Sequence, residues 1–271
     1  MNARRFAALA FGLVAGACAF AQSALPPVTV TAPLRDPVEK SYRKMIRGMD
    51  VFEQLMPRIA PGATLRFKLL PRKRTTDLSS IDLYIVSTSV DQNIPIAPDQ
   101  TFVLPRIPKA LQEDAVVTPN RKKQTMTWRT EIRSPGLPPQ VRRLGDMRLE
   151  CRVGMEAELV SGADNVLSKF ARLFSDPVAY CGRKEARYLF FAERPLFSVT
   201  LVAANRREVL PIDRLYAEST DDPGLKEDLP FCDCEVLLDR TYFLPLGDAS
   251  WPDDTRIEFE FMEDGDAPAA R

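Results

Sequence analysis

Four cysteines remain once a leader is set aside: Cys151, Cys181, Cys232 and Cys234. The last two flank Asp233 in LPFCDCEVLL, residues 229–238. Such a set could carry redox chemistry, hold zinc or form disulfides. A redox pair prefers C-x-x-C at a helix N-terminus, which stabilises the thiolate. Here the flanking residues read as a strand, and Asp233 and Glu235 would raise both thiol pKa values by repulsion. A four-thiolate zinc site prefers paired C-x-x-C knuckles, and Cys151 and Cys181 stand alone. Disulfides are therefore expected at all four positions. In an extended strand Cys232 and Cys234 share a face at a Cα separation near the upper limit for bonding each other. The favoured pairing sends each outward, one to Cys151 and one to Cys181. Cys151–Cys181 with a separate Cys232–Cys234 bond is the alternative.

The chain has no histidine. Ser-His-Asp and Cys-His catalysis and histidine-based zinc sites are thereby excluded within it. No phosphate-binding glycine loop, dinucleotide fingerprint or EF-hand loop occurs, so no cofactor and no metal are expected. Glu258, Glu260 and Glu263 fit the solvent face of the strand RIEFEFM, with Ile257, Phe259 and Phe261 inward. Asp248, Asp253 and Asp254 could hold calcium, but turn chemistry explains them equally well. A pair of carboxylates acting on glycans is the catalytic alternative. The favoured reading is not an enzyme.

Charge is unevenly spread. From Arg58 to Arg148 bases outnumber acids, and from Asp213 onward the balance reverses. Arg72-Lys73-Arg74 and Arg121-Lys122-Lys123 are the candidate contacts for an anionic ligand. Export argues against nucleic acid, so an anionic surface glycan or another envelope protein is the expected partner.

That export is read from the N-terminus. Arg4-Arg5 precede an apolar run, Phe6 to Phe20, and Ala19-Phe20-Ala21 gives a signal-peptidase pattern. Cleavage before Gln22 and a periplasmic or secreted location of Gram-negative type are expected. A lipid on Cys18 is the alternative, but Ala15 stands where lipoproteins usually carry leucine. The run is shorter than a membrane span, and no later apolar run is longer. The mature chain is therefore expected to have no transmembrane segment. Removing Arg4 and Arg5 changes 37 bases against 37 acids to 35 against 37.

The elements that must position these residues are mostly strands. After the signal peptide (1–21) and a disordered lead (22–35), a helix is expected at 36–57. Asp36 would cap it, Glu39 would complete a capping box, and Pro57 would stop it. Period-two runs then argue for two related β-sandwich modules, at 58–155 and 186–263, in a mainly β fold. DMRLECRV reads as one of these strands. A connector at 156–185 carries a short helix near 164–174, and 264–271 is expected to be a disordered tail. The modules share a motif: Asp99 to Pro105 (DQTFVLP) matches Asp239 to Pro245 (DRTYFLP), each preceded by a strand and a Pro-Ile pair.

The PDQTFVLP stretch resembles carboxypeptidase regulatory-like, transthyretin-type β-sandwich modules of exported bacterial proteins. The resemblance covers about ten residues, with Gln100 in place of the usual glycine. It implies a sandwich and a binding or structural role.

Overall fold

The computed structural model describes residues 36–73, 75–159, 176–216 and 234–262. Its architecture is set by non-local pairing, and the first helix shows how. Lys40–Ser41 (β1) pairs with Val116–Pro119 (β6), and Pro37 bridges Lys122. This draws the segment after Asp36 into a strand, so helix α1 starts at Tyr42 and not at Asp36. Ser41 is the N-cap, accepting from the Lys44 N–H at 3.4 Å. Pro57 lies within the last turn, and the helix ends at Ile59. Tyr42, Met45 and Ile46 form its buried stripe, as helical spacing requires.

Thr64–Pro71 (β2), Leu83–Val86 (β3), Asp91–Ile94 (β4) and Thr101–Phe102 (β5) follow. A short helix, α2 (Pro108–Gln112), leads into β6, and β7 spans Met126–Arg133. All strand pairings are antiparallel. The later strands are β8 (Val141–Arg143), β9 (Leu189–Phe191), β10 (Leu196–Ala203), β11 (Arg206–Val209), β12 (Thr241–Phe243) and β13 (Arg256–Phe261). Mainly β is thus correct, and the described residues form one compact unit. No helix among the described residues is long and apolar enough to cross a membrane.

DMRLECRV is a correction. It lies in helix α3, Leu144–Glu156. Leu144, Met147 and Cys151 enter one apolar core, while Leu149 and Val153 pack with Ile59 against α1. A helix buried on two sides shows apolar residues at nearly every second position, which imitates a strand. The helices approach closely: a Cβ added at Gly48 would lie 2.9 Å from that of Ala157.

With α3 in place, two copies of one chain path emerge. The first runs β1-α1-β2-β3-β4-β5-β6, the second β8-α3-β9-β10-β11-β12-β13. Their four-stranded sheets have the same order, β1-β6-β3-β4 and β8-β13-β10-β11. Registers correspond: Ile85 faces Val117 as Leu201 faces Ile257. The motif strands β5 and β12 pair with β2 and β9. Phe67 stacks on Phe102 at 5.3 Å and 25°, and Phe190 on Tyr242 at 5.5 Å and 26°. Isolated bridges join Ile96 to Phe102 and Leu215 to Tyr242. The repeat therefore begins at β1 and β8, earlier than the period-two runs indicate. Because β8 pairs with β13, the sheets do not divide at 155. Each core draws on its helix as well as on strands.

The cysteine pairing is also corrected. Cys151 bonds Cys181 at a Cα separation of 6.0 Å, near the commonest value for disulfides. The bond is buried in the second core and ties α3 to the helical turn Pro177–Tyr180. Neither cysteine is therefore available to the CDC motif. Cys234–Leu237 is a helical turn, not a strand. A 3-10 turn, Leu238–Arg240, follows, and the Thr241 hydroxyl donates to the Leu238 carbonyl at 2.7 Å. Cys232, the Cys234 side chain and the expected helix at 164–174 lie outside the described residues.

Candidate anion-binding site

Arg72 and Lys73 leave β2, and Arg121, Lys122 and Lys123 precede β7. The β2–β7 ladder runs from Thr64 opposite Arg133 to Pro71 opposite Met126, so both basic runs sit at one end of it. The Arg72 N–H donates to the Thr125 carbonyl at 2.8 Å. The Thr76 hydroxyl donates to the same carbonyl at 2.8 Å, and the Lys73 carbonyl accepts from the Thr76 N–H at 3.0 Å. On the other side, the Lys123 N–H donates to the Asp36 carbonyl at 2.8 Å. The backbone of both runs is thus fixed, while the side chains of Lys73, Lys122 and Lys123 are exposed. Arg74 lies outside the described residues.

Arg121 plays a different part. Its guanidinium donates to the Ser80 carbonyl and hydroxyl at 3.0 and 2.7 Å, and to the Asp77 carbonyl at 3.0 Å. It closes the 77–80 loop. Asp77 accepts from the Ser79 hydroxyl and N–H and from the Ser80 hydroxyl, which hold its carboxyl down to about 2, with the Arg121 charge a smaller aid. Of the expected residues, the structure therefore groups Arg72, Lys73, Lys122 and Lys123 as one edge and gives Arg121 a positioning role. Exposed ammonium groups attract anions over roughly a Debye length, about 8 Å at physiological salt.

A second charged group lies inside the protein and was not singled out in the sequence, where DMRLECRV reads as a strand. The Arg142 guanidinium donates to a Glu150 carboxylate oxygen at 2.8 Å and to the Ile132 carbonyl at 2.6 Å. The same carboxylate oxygen accepts from the Ile132 N–H at 3.1 Å. Burial pushes the Glu150 carboxyl up, against the pull of Arg142 and the Ile132 N–H. Burial is the largest influence on Arg142 and opposes its charge, but Glu150 together with Tyr242 and Glu131 outweighs it and keeps the guanidinium protonated. Arg129 lies between the rings of Phe191 and Tyr188, at 4.9 and 5.9 Å, and reaches the Leu189 carbonyl at 3.4 Å. These groups and Tyr242 line a cavity of about 60 Å³. Ligand pockets usually hold about 300–1,000 Å³, so this space suits a few water molecules. Its carboxylate is committed to the fold.

Of the remaining acids, Asp248, Asp253, Glu258 and Glu260 have local duties. Asp248 accepts from the Ser250 N–H at 2.9 Å, the turn chemistry expected of it. Asp253 pairs with Arg148 at 2.6 Å. Glu258 pairs with Arg207 at 2.9 Å, and Glu260 accepts from the Ser198 hydroxyl at 2.8 Å. Glu263 lies outside the described residues. Compared with protein-family models, with curated proteins and with solved structures, the chain matches none.

Proposed function

We propose that this is an exported, non-catalytic binding module of the bacterial cell envelope that engages an anionic surface glycan. The observation that carries the reading is the meeting of two basic runs, far apart in sequence, at one end of the β2–β7 ladder. Lys73, Lys122 and Lys123 present their charge from a hydrogen-bonded frame. Lysine is a compact charge on a flexible stem, suited to a polymer with repeated negative groups rather than to one rigid ligand. The buried Cys151–Cys181 bond fits an oxidising compartment.

A protein partner is the second reading, through the sheet edges β4 and β11, each paired on one side only among the described residues. Both edges are polar, and Arg206 and Arg207 on β11 are of the kind that guards an edge against added strands. A carboxylate-dependent glycan hydrolase has less support, since Glu150 is bound by Arg142 and Ile132. The test is surface plasmon resonance with immobilised lipopolysaccharide. Wild type should bind, and the Lys73→Glu/Lys122→Glu/Lys123→Glu variant should lose at least ~90% of the response, since three charges worth about 1 kcal/mol each are reversed. Equal binding by both would refute the proposal.

A further inference from the structure

We propose that a surface cavity between the end of α1, α3 and the 246–253 loop binds a phosphate-type oxyanion, free or carried on a sugar. The cavity measures about 510 Å³, and its lining includes Arg58, Arg148, Arg152, Trp251, Gly247 and Asp253. It is built from other elements than the basic edge and does not depend on the function proposed above.

The three arginines differ in what they hold. Arg148 uses four of its five N–H groups: it donates to the carbonyls of Leu246, Asp248 and Trp251 at 2.8, 2.8 and 2.9 Å, and to Asp253 at 2.6 Å. It fixes the loop that forms one wall. Arg152 lies one helical turn further along α3, on the same face. Its Nε is buried with no hydrogen-bond partner among the described residues. Arg58 is exposed in the last turn of α1 and makes no ion pair among the described residues. Asp253 is the one carboxylate in the lining, and Arg148 already engages it.

Positive charge in the cavity is therefore uncompensated. Burial pulls the Arg152 guanidinium down from its usual range, and the Arg58 and Arg148 charges add to this against Asp253. A bound oxyanion relieves that repulsion and supplies the acceptor that Arg152 Nε lacks. Guanidinium groups match phosphate oxygens in planar, two-point fashion. The walls are also braced. Cys151 precedes Arg152, and its disulfide partner Cys181 precedes Gly182, which lines the cavity too. Arg206, paired with Glu208 at 2.7 Å, stacks on Trp251 at 3.8 Å and holds that ring in the wall.

Isothermal titration calorimetry with inorganic phosphate and with glucose 1-phosphate, at fixed ionic strength, tests the site. At least one probe should bind wild type saturably at one site. Arg58→Gln and Arg152→Gln should each weaken that binding at least about tenfold, the loss of one charged hydrogen bond. Lys73→Glu/Lys122→Glu/Lys123→Glu should leave it unchanged, so its failure is separable from failure of the glycan reading. Tighter binding of glucose 1-phosphate assigns the site to sugar-borne phosphate, and equal or tighter binding of phosphate to the free ion. Both substitutions remove a like charge, and circular dichroism checks that the variants fold. Should Arg152→Gln unfold, the exposed Arg58→Gln decides. Absence of saturable binding with both probes, or unchanged affinity in the variants, overturns the proposal.

Discussion

Replacing Glu150 tests whether the internal carboxylate is structural. Glu150→Ala leaves the buried Arg142 guanidinium with only the Ile132 carbonyl, and leaves the Ile132 N–H without its acceptor. Breaking a buried ion pair from one side costs about 3–5 kcal/mol, a large part of a typical stability of roughly 5–15 kcal/mol. Glu150→Gln keeps an oxygen for both donors and loses only the charge, so it should cost about 1–2 kcal/mol. Replacing both partners, Arg142→Met/Glu150→Leu, removes the uncompensated charge and should cost less than Glu150→Ala alone. Urea unfolding at pH 7 reads all three as midpoint shifts at constant slope. A loss below about 1 kcal/mol for Glu150→Ala would mean that water reaches the pair. The claim that this carboxylate serves the fold would then be refuted, and the hydrolase reading would regain support.

Other consequences can be checked with the same material. Cys151→Ala/Cys181→Ala should cost roughly 3–4 kcal/mol in urea unfolding on the chain-entropy estimate for a separation of 30 residues. Non-reducing peptide mapping should join the Cys151 and Cys181 peptides, and a link from either to the CDC peptide would contradict the fold. The Asp77 and Glu113 carboxyls are each lowered to about 2 in the folded protein, Asp77 mainly by Ser79 and Glu113 mainly by Lys109 with Ser89 and Ser87. Lowered folded pKa values give stability that is present above the unfolded carboxyl range and lost as pH falls toward 2. Melting temperature should therefore fall between pH 5 and pH 2, and Asp77→Asn/Glu113→Gln should flatten that fall. An equally steep fall in the variant would place the acid sensitivity elsewhere.

Much of the β structure was legible because one-sided sheets print their burial as alternation. Leu83 and Ile85 are buried in β3, and Val199 and Leu201 in β10, as the period-two runs imply. The shared DQTFVLP and DRTYFLP runs marked equivalent strands, since Phe102 and Tyr242 make the same aromatic stack in each copy. The helices of the repeat were not recognisable as equivalents. Tyr42 and Met45, which follow β1, are buried as Leu144 and Met147 are after β8, but the rest of the two helices shares little residue type. Helix α3 was hidden because it is buried on two sides. The start of α1 was misplaced because Pro37 and Lys40 answer to partners near residue 120 and not to their own neighbours.

The candidate sites were legible only as ingredients. The basic runs were visible, but their meeting depends on the β2–β7 register. Arg121 could not be told from Lys122 until the 77–80 loop lay beside it. The Arg142–Glu150 pair needs α3 to be a helix packed on β7. Arg58 and Arg152 come from different helices and share a cavity only because α1 packs on α3.

The salt dependence of polyanion binding tests the central claim most directly. If Lys73, Lys122 and Lys123 each displace a counterion, the logarithm of the binding constant should fall linearly with the logarithm of salt concentration. By analogy with nucleic acids each contact contributes about 0.7–0.9 to the slope, so three contacts give about 2 to 3. Lys122→Gln/Lys123→Gln should lower that slope by about 1.5. A slope near zero for wild type, or a slope unchanged in the variant, would contradict binding through this edge.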